Sequence, residues 1–398
     1  MISQKCRACG SSSFLIREMA GIAEARAAVI GAENVFNFTI GNPSITPPAC
    51  VRETMERLLR TEDPIRLHSY APAPGLAEVR EKVAARLKET FGVPYRMTDI
   101  FVTDGASTAL TMSLHALLSE GDEAIVLAPY FSEYKVYIED AGAKVVEVRT
   151  APDTFEIDPA ALSAAMTEKT ALLILNSPCN PSGTVFSEAC IRGIAALLEE
   201  KQKEYGHPIF IIADEPYREL VYGGVKVPFV PAVYRNTLYC YSFSKSLSIP
   251  GDRVGYLALT PGLDWESDLR AALAGAGRAM GYVCTSSFAQ RVAAECLGKT
   301  ADISLYEENR DLIYNALLEM GYSCARPDGA FYLFLKTPDP DSAAFCRRAM
   351  EEHDLFLVPG EEFGYPGYAR LAYCTTKQTL ERSLPVFRKI AAEYGLKK

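Results

Sequence analysis

The chain has 398 residues, 48% of them apolar, and 41 Lys and Arg against 50 Asp and Glu leave a net charge of −9. This composition excludes wholesale disorder, and the length predicts two domains or one large domain with an appendage. The acidic balance argues against nucleic acid or an anionic membrane as a partner, because both require clustered Lys and Arg.

The first elements predicted along the chain are a helix and a short strand. Residues Phe14–Ile30 carry apolar side chains at near-helical spacing, and Gly31 is placed to end the helix. The segment Phe36–Pro43 then has the pattern of a short strand that runs into a Gly/Pro turn.

From about residue 50 to 260, apolar strand-like runs alternate with helical patterns such as Ser107–Leu118 and Ser187–Tyr205. Continuous apolar runs between helices indicate a mainly parallel sheet that is covered on both faces. Only about ten residues separate the last two runs, so the last strand is expected to be antiparallel to its neighbours. The seven predicted strands are Ile100–Thr103, Glu123–Pro129, Ala143–Arg149, Ala171–Leu175, Pro208–Ala213, Thr237–Phe243 and Val254–Leu259.

The chain changes character after the last of these strands. It is predicted to be helical to Leu297, then to form strand–turn–strand material over Tyr322–Leu335 and a closing helix over Lys377–Tyr394. The predicted fold class is α/β: a large domain with a mainly parallel seven-stranded sheet between helices, plus a smaller α+β domain from both chain ends. The expected division is a large domain of residues 46–285 and a small domain of residues 1–45 and 286–398.

Eleven cysteines raise the question of disulfides or metal, but their spacing indicates neither. Cys6 and Cys9 form a lone Cys-x-x-Cys with no second pair at zinc-finger distance. That pair could bind metal or be redox active; an ordinary N-terminal segment is favoured, and no metal site is expected. An odd number of scattered thiols fits a reducing cytosol. Mostly polar first residues and short apolar runs predict no signal peptide or membrane span, so a cytoplasmic location is expected.

A lysine directly follows one of the apolar strands, in the segment Tyr241–Tyr256. Lys245 stands at the carboxyl end of that strand, where open α/β sheets place their ligands. Its amine suits carbonyl chemistry once a lowered pKa allows it to form a Schiff base, and Arg253 would help to lower that pKa. A solvated loop lysine is the competing interpretation, and this segment alone leaves the two about even.

Three further strand ends carry polar groups. After a run that must be buried, Asp214 needs a cationic or hydrogen-bonding partner, and a protonated pyridine nitrogen would be one. The segment Asn176–Gly183 is a rigid polar turn that can hold one amide in place. The segment Thr103–Leu110 joins a strand to a helix N-terminus, which can bind phosphate. Each has a plainer interpretation as a turn or a helix cap, but the four segments together indicate one site.

With these motifs in order and spacing, nearly the whole chain from about Phe14 resembles the class I/II aminotransferases, which are fold type I pyridoxal-phosphate enzymes. The segment Ser242–Ser246, with Arg253 eight residues after its lysine, matches the family's Schiff-base segment. Asn176–Gly183 resembles its Asn-Pro-x-Asn-Pro-Thr-Gly turn, although serines replace the first Pro and the Thr. Asp214–Tyr217 matches its Asp-x-x-Tyr.

The resemblance implies that the cofactor is pyridoxal 5′-phosphate, bound to Lys245 as an internal aldimine. Lys245 would also move the proton between the substrate Cα and the cofactor C4′. Asp214 would pair with the pyridinium nitrogen and keep the ring an electron sink. The other implied contacts are to the phenolic oxygen (Asn180, Tyr217), to the phosphate (Ala106, Ser107, Ser242, Arg253) and to the ring face (Phe131, with Tyr130 as the alternative register).

The same resemblance implies the substrate contacts and a partner subunit. Arg370, in Ala369–Tyr373, would grip the α-carboxylate of the substrate with its forked guanidinium. Asn180 and the backbone of Gly41 would border the same carboxylate. Tyr70, in a Tyr-x-x-x-x-Gly segment, would reach the phosphate held by the neighbouring subunit, which implies a homodimer with shared active sites.

The expected activity is that of an aminotransferase, which moves an amino group from an L-amino acid to a 2-oxo acid. A C–S lyase or another β-eliminating enzyme would use much the same lysine, aspartate and tyrosine, and release of pyruvate and ammonia would reveal it. A non-catalytic cofactor-binding sensor is disfavoured by the acidic charge and by the early start of the aminotransferase pattern. The amino-acid side chain stays open: a dicarboxylate needs a second cation, and nothing in the sequence places Arg278 or Arg218 near the cofactor.

Overall fold

The computed structural model describes residues 2–11 and 15–396. Its centre is a seven-stranded sheet with an apolar core on each face, as the predicted fold class requires. In spatial order its strands are Ile100–Thr103, Gly255–Leu259, Thr237–Ser242, Phe210–Asp214, Thr170–Asn176, Glu123–Ala128 and Lys144–Arg149. Every predicted strand begins and ends within two residues of the observed one. This agreement confirms the predicted large α/β domain.

The central strands are buried on both faces. Along the strand Phe210–Asp214, Phe210 and Ile212 enter one apolar core, whereas Ile211 and Ala213 enter the other. Because successive side chains point to opposite faces, burial on both sides requires a continuous apolar run rather than alternation. Asp214 ends this run on the same face as Ile212.

One strand runs against the others. Gly255–Leu259 is antiparallel to both of its neighbours, Ile100–Thr103 and Thr237–Ser242, whereas the remaining neighbouring pairs of this sheet are parallel. This confirms the expectation from the short connection. The connection contains the four-residue helix Phe243–Ser246, so Lys245 stays at the carboxyl end of the strand before it.

The helices cover both faces of the large sheet and the outside of the small unit. The helix predicted from Phe14 is described from Leu15, because Phe14 lies outside the described residues. No helix in the described ranges is long and apolar enough to cross a membrane. The α-helices are Gln4–Ser11, Leu15–Ile30, Ala49–Thr61, Pro64–His68, Ala77–Phe91, Gly105–Leu117, Glu133–Asp140, Pro159–Ala165, Glu188–Tyr205, Val230–Val233, Phe243–Ser246, Glu266–Ala279, Ser287–Glu295, Ser304–Glu319, Ser342–His353 and Lys377–Glu393.

A smaller antiparallel sheet forms the second unit of the fold. Beside it, the N-terminal strand Phe36–Asn37 pairs in parallel with Leu355–Phe356 in a separate two-stranded sheet. The N-terminal and C-terminal parts of the chain therefore meet in this unit. Two strands after residue 354, Leu355–Phe356 and Val358–Pro359, were not predicted, because strands of two residues show no periodicity. The five-residue strand Tyr368–Ala372 was not predicted either. In spatial order the four strands of the small sheet are Val358–Pro359, Tyr368–Ala372, Tyr332–Lys336 and Ser323–Cys324.

The division at residues 45 and 286 stays a prediction, and the packing bears on it in two ways. The pairing of Phe36–Asn37 supports the assignment of the N-terminal segment to the small domain. The helix Ser287–Glu295, however, packs Val292 and Ala293 into the core that also contains Val102 of the large sheet. We therefore propose that this helix belongs to the large domain and that the boundary follows it.

Candidate active site

A cavity of about 590 Å³ lies at the carboxyl ends of the central strands and reaches the small sheet. Tyr70 does not line it, and the side chain of this residue is 89% exposed. The other eleven site residues expected from the sequence all line the cavity: Gly41, Ala106, Ser107, Phe131, Asn180, Asp214, Tyr217, Ser242, Lys245, Arg253 and Arg370.

Asn176 joins two of the predicted segments. It lies opposite Asp214 at the end of the neighbouring parallel strand. Its Nδ2 donates to the backbone oxygen of Asp214 at 2.8 Å, and its Oδ1 accepts the backbone N–H of Asn180 at 2.8 Å. The turn that carries Asn180 is therefore tied to the strand that carries Asp214. Parallel strands end at one edge, which is why polar groups distant in the chain meet there.

Lys245 is part-buried in the cavity wall, and its Nζ donates to the carbonyl oxygen of Gly41 at 2.8 Å. The pKa of Lys245 is lowered to about 8, chiefly by burial. The Cys374 thiol acts in the opposite direction, and the positive charges of Arg253 and Arg370 add to the lowering. An amine of this pKa is partly neutral near physiological pH and can act as a nucleophile or a base.

Asp214 is 4% exposed and has one satisfied oxygen and one unsatisfied oxygen. Its Oδ2 accepts a hydrogen bond from the Tyr134 hydroxyl at 2.5 Å, whereas its Oδ1 has no partner. Burial raises the pKa of this carboxyl to about 7; the Tyr134 bond opposes the rise, and the charge of Glu215 adds to it. A buried carboxylate oxygen without a donor is costly, so Oδ1 requires an N–H or cationic partner in the cavity.

Arg370 is a buried cation without a carboxylate partner. Its Nη1 donates to Asn180 Oδ1 at 3.0 Å and its Nη2 donates to the Thr39 carbonyl at 2.5 Å, whereas its Nε has no partner. Burial lowers the pKa of the guanidinium, which nevertheless stays charged because arginine starts so high. Within residues 2–11 and 15–396, no ion pair involving Arg370 is found. A buried cation of this kind favours an anionic ligand.

One end of the cavity has the character of an anion site. Arg253, Ser242 and the first turn of the helix Gly105–Leu117 converge there. Arg253 Nη2 donates to the Asp104 carbonyl at 3.0 Å, which fixes the guanidinium beside the helix N-terminus. Gly105 has a φ of +76°, and a Cβ at this position would lie 2.7 Å from Arg253 Nη2, so glycine allows this close approach. Helix N–H groups, hydroxyls and a guanidinium together favour phosphate.

The aromatic side chain on the cavity wall is that of Phe131. Tyr130, the alternative register, is 3% exposed and packs against Gly364, while its backbone N–H donates to the Phe363 carbonyl. The Phe131 ring meets the Tyr134 ring edge-on, with centroids 5.6 Å apart. This geometry supports Phe131 for ring stacking, and that role stays a prediction.

Several residues that line the cavity or hydrogen-bond to its side chains were missed by sequence reasoning. Tyr134 follows Phe131 by three residues, so the start of a helix was the one available signal for it. The Tyr332 hydroxyl lies 2.9 Å from the Tyr217 hydroxyl but 115 residues away in the chain, and no local pattern marks it. Asn176 begins the segment Asn176–Gly183, but no role was predicted for it. Its position at a strand end, like that of Asp214, was the signal that it belongs to the site.

The chain matches the family model "Aminotransferase class I and II" over residues 33–386. The chain belongs to this family. It is 30% identical to the probable aspartate aminotransferase of Methanocaldococcus jannaschii, covering 98% of this chain and 100% of that protein. It is 31% identical to the aspartate aminotransferase of Thermotoga maritima, covering 91% of this chain and 93% of that protein.

Solved structures agree with this assignment. The amino transferase from Eubacterium rectale has a TM-score of 0.96 at 46% identity and covers 99% of both chains. The aspartate aminotransferase from Thermus thermophilus with maleate has a TM-score of 0.86 at 27% identity, covering 98% of this chain and 99% of that one. The resemblance inferred from the motifs is confirmed, and the protein is an aminotransferase.

The aminotransferase cavity fits the cofactor of its family, pyridoxal phosphate. The unsatisfied Asp214 Oδ1 requires a donor such as a protonated ring nitrogen. The end of the cavity at Arg253 and the helix N-terminus suits a phosphate. The volume of about 590 Å³ lies in the range of small-molecule sites.

Neither cation considered for a dicarboxylate substrate lies in the cavity of the aminotransferase. Arg218 forms an ion pair with Glu215. It packs over the rings of Phe91 and Phe229, which belong to the core on the face of the sheet opposite Ile212. Arg278 lines a separate apolar cavity of about 360 Å³. Arg17 does line the active-site cavity, in electrostatic contact with Glu133, and the sequence had not singled it out.

The sequence predicted no metal site. Two groups of side chains carry atoms of the kind that bind metals. Cys6 and Cys9 are both exposed. Away from the cavity, Glu352, His353 and Glu393 place ligand atoms within 4.8 Å of one another. Arg348 donates to both carboxylates, at 3.1 and 3.0 Å, so an internal cation already balances this group.

We expect Asp214→Asn to stabilise the ligand-free aminotransferase at pH 8. The carboxyl has a pKa of about 7 in the folded protein against an ordinary value of 3.8, so ionising it costs folding free energy increasingly between about pH 4 and pH 7. Above that range the full penalty, on the order of a few kcal/mol, is present, and the variant removes it. Thermal unfolding should show a raised Tm at about pH 8 and a much smaller gain near pH 5. An equal gain at both pH values would contradict this account.

Proposed function

We propose that this aminotransferase binds pyridoxal 5′-phosphate in the cavity around Lys245 and uses it to move an amino group from an L-amino acid to a 2-oxo acid. The observation that carries the proposal is the convergence of Lys245, Asp214 and Arg370 on one cavity. Asp214 and Arg370 each present a buried polar atom that no protein group satisfies. When bound, the cofactor supplies an electron sink for the electron pair left at the substrate Cα.

The proposed cofactor contacts are assigned from the side chains that line the cavity. Lys245 would attach the cofactor covalently through its Nζ, and Asp214 Oδ1 would accept a hydrogen bond from the protonated ring nitrogen. Phe131 would hold the face of the ring. The remaining proposed contacts are hydrogen bonds from Asn180 and Tyr217 to the phenolic oxygen, and phosphate contacts from Ala106, Ser107, Ser242 and Arg253.

The substrate carboxylate is proposed to bind at the unsatisfied Nε of Arg370, beside Asn180 and the backbone of Gly41. With the cofactor bound, the Nζ of Lys245 would act as the base that takes the proton from the substrate Cα. The same amine would hold this proton and return it to the cofactor C4′. Its pKa of about 8 suits a base that must both accept and release a proton near neutral pH.

The side chains of the amino donor and of the oxo-acid acceptor are proposed from the names of the relatives and from the charged residues that line the cavity. Relatives carry names such as aspartate, aromatic-amino-acid and aspartate/prephenate aminotransferase. We assign Lys245 and Arg253 to the cofactor, and Arg370 to the α-carboxylate. Among the described residues that line the cavity, Arg17, beside Glu133, is then the cation proposed for a second acidic group. Initial rates with aspartate, phenylalanine and alanine against pyruvate, 2-oxoglutarate and oxaloacetate measure the preference.

We further propose a homodimer in which Tyr70 completes the site of the neighbouring subunit. Its exposed ring lies outside the cavity of its own chain, as this arrangement requires. Ile65 and Val283 are also exposed, by 78% and 63%. Ser287 Oγ donates to the Leu67 carbonyl, so the segments that carry these side chains adjoin one another. Exposed apolar side chains on adjoining segments favour burial against a second copy.

A cytoplasmic location is part of the same proposal. All eleven cysteines lie in the described part of the chain, and the ten other than Cys9 carry free thiols. Many unpaired thiols are typical of proteins kept in a reducing compartment.

Borohydride should fix the cofactor to Lys245. Reduction of the carbon–nitrogen double bond to the lysine makes the link permanent, so peptide mass spectrometry should find the pyridoxyl adduct on the peptide that contains this residue. Lys245→Ala should carry no adduct there and should lose at least about 10³-fold in kcat, because base and anchor are lost together. Adduct formation on another lysine, with normal turnover of the variant, would refute the assignment.

Arg370→Lys should raise KM by a similar factor, roughly tenfold or more, for aspartate, phenylalanine and alanine, because an ammonium cannot replace the forked grip on a carboxylate. Steady-state kinetics with the three donors measure this. Arg348→Lys, outside the cavity, is the matched control and should leave KM unchanged. An increase confined to aspartate would mean that Arg370 binds the side chain instead of the α-carboxylate.

Shared sites should be visible in mixed dimers. Lys245→Ala and Tyr70→Ala chains each lack one group, but a mixed dimer contains one site with Lys245 from one chain and Tyr70 from the other. Refolding the two variants together should therefore restore up to about a quarter of the wild-type activity at a statistical mixture. No gain over the separate variants, in a sample shown to contain mixed dimers, would place Tyr70 outside the neighbouring site.

A further inference from the structure

Tyr332 lines the active-site cavity but has no place among the proposed cofactor and substrate contacts. It is 3% exposed and is the first residue of the strand Tyr332–Lys336. In the antiparallel pair with Tyr368–Ala372, Phe334 lies opposite Arg370 and Tyr332 opposite Ala372. Residues two apart share a face, so Tyr332 is the diagonal neighbour of Arg370.

The ring of Tyr332 holds the substrate-side cation. The Arg370 Cζ lies 4.7 Å from the centroid of the Tyr332 ring and 4.9 Å from that of Phe363. A guanidinium over aromatic faces is attracted by their quadrupoles, and the attraction is greater where water is excluded. The two rings therefore restrain the orientation of Arg370 while its Nε stays without a protein partner.

The hydroxyl of Tyr332 reaches the cofactor side of the cavity. It lies 2.9 Å from the Tyr217 hydroxyl, and burial raises the pKa of Tyr332 to about 12, so the group keeps its proton at neutral pH. If the Tyr217 hydroxyl donates a hydrogen bond to the cofactor's phenolic oxygen, the Tyr217 oxygen can accept a hydrogen bond from the Tyr332 hydroxyl. In such a chain each hydrogen bond polarises the next, and the outer donor strengthens the inner one.

The same hydroxyl supports the backbone next to Lys245. A Cβ on Gly41 would lie 1.9 Å from the Tyr332 oxygen, so only glycine allows the main chain to come this close. The carbonyl of Gly41 accepts the hydrogen bond from Lys245 Nζ. Tyr332 thus contacts groups on the lysine, phenolic-oxygen and carboxylate sides of the cavity.

We propose that Tyr332 is a positioning residue that couples the carboxylate-binding Arg370 to the hydrogen bond between Tyr217 and the cofactor's phenolic oxygen. This inference rests on the proposed function. The hydroxyl acts through Tyr217 on the cofactor, and the ring acts through Arg370 on the substrate. The two parts of one side chain can therefore be separated by substitution.

The test compares Tyr332→Phe and Tyr332→Leu in the holoenzyme. Phe removes only the hydroxyl: the pH midpoint of the bound cofactor's visible absorption should rise by roughly half a unit, since a weaker hydrogen bond stabilises the deprotonated form less. KM for the amino donor should stay within a factor of about three, because the ring on Arg370 remains. Leu also removes the ring, and KM should then rise about tenfold.

Two controls make the result specific. Tyr322→Phe changes a buried tyrosine whose hydroxyl donates to the Phe387 carbonyl in the small-domain core, and it should shift neither the midpoint nor KM. In a Tyr217→Phe background, adding Tyr332→Phe should leave the midpoint unchanged, because the first substitution removes the group through which Tyr332 acts.

Specific outcomes overturn the inference. An unchanged midpoint in Tyr332→Phe, while Tyr217→Phe shifts it, removes the hydroxyl from the coupling even if the Leu variant fails to fold. An equal shift in the Tyr217→Phe background shows that Tyr332 acts without Tyr217. Failure of the proposed function is a separate result: the wild-type protein then shows no cofactor band and no adduct on Lys245 after borohydride.

Discussion

The burial of one carboxylate, that of Asp214, is the constraint on which the rest of the site depends. Asp214 ends a strand that is apolar on both faces, so its charge cannot be solvated in the usual way. Tyr134 satisfies one oxygen and leaves the other for a ligand. Asn176 fixes the strand end by bonding the Asp214 backbone. In the proposed function, a protonated ring nitrogen would remove the cost of the ligand-free carboxylate, and that free energy would contribute to cofactor affinity and to polarisation of the ring.

The cationic side chains of the cavity are separated from one another, so that each acidic group of a ligand has its own partner. Arg253, beside a helix N-terminus, suits the phosphate, and Arg370, in the small antiparallel sheet, suits a carboxylate. Lys245 lies between them at lowered pKa, because it is part-buried and both guanidinium groups repel its charged form. Placing cations at fixed points, rather than as a general positive surface, is compatible with a chain of net charge −9.

The seven strands of the large sheet could be predicted to within two residues. For the central strands the reason is that burial on both faces requires a continuous apolar run in the sequence. Shorter elements could not: Leu355–Phe356 and Val358–Pro359 exist through pairing with other segments rather than through a pattern of their own. The helical stretch expected to reach Leu297 is two helices, since the chain turns at Gly281 with a φ of +74°. The domain boundary likewise depends on where the helix Ser287–Glu295 packs.

For the site, the sequence by itself determined the groups that follow strands, among them Asp214, Asn180 and Lys245, because parallel strands have their carboxyl ends at one edge of the sheet. Only the tertiary structure decided their partners. Tyr134 and Tyr332 enter the site from a helix and from another sheet, and Arg370 gains its orientation from rings beside it. Contacts of this kind depend on how packed units are placed against each other, and that placement leaves no periodic trace in the chain.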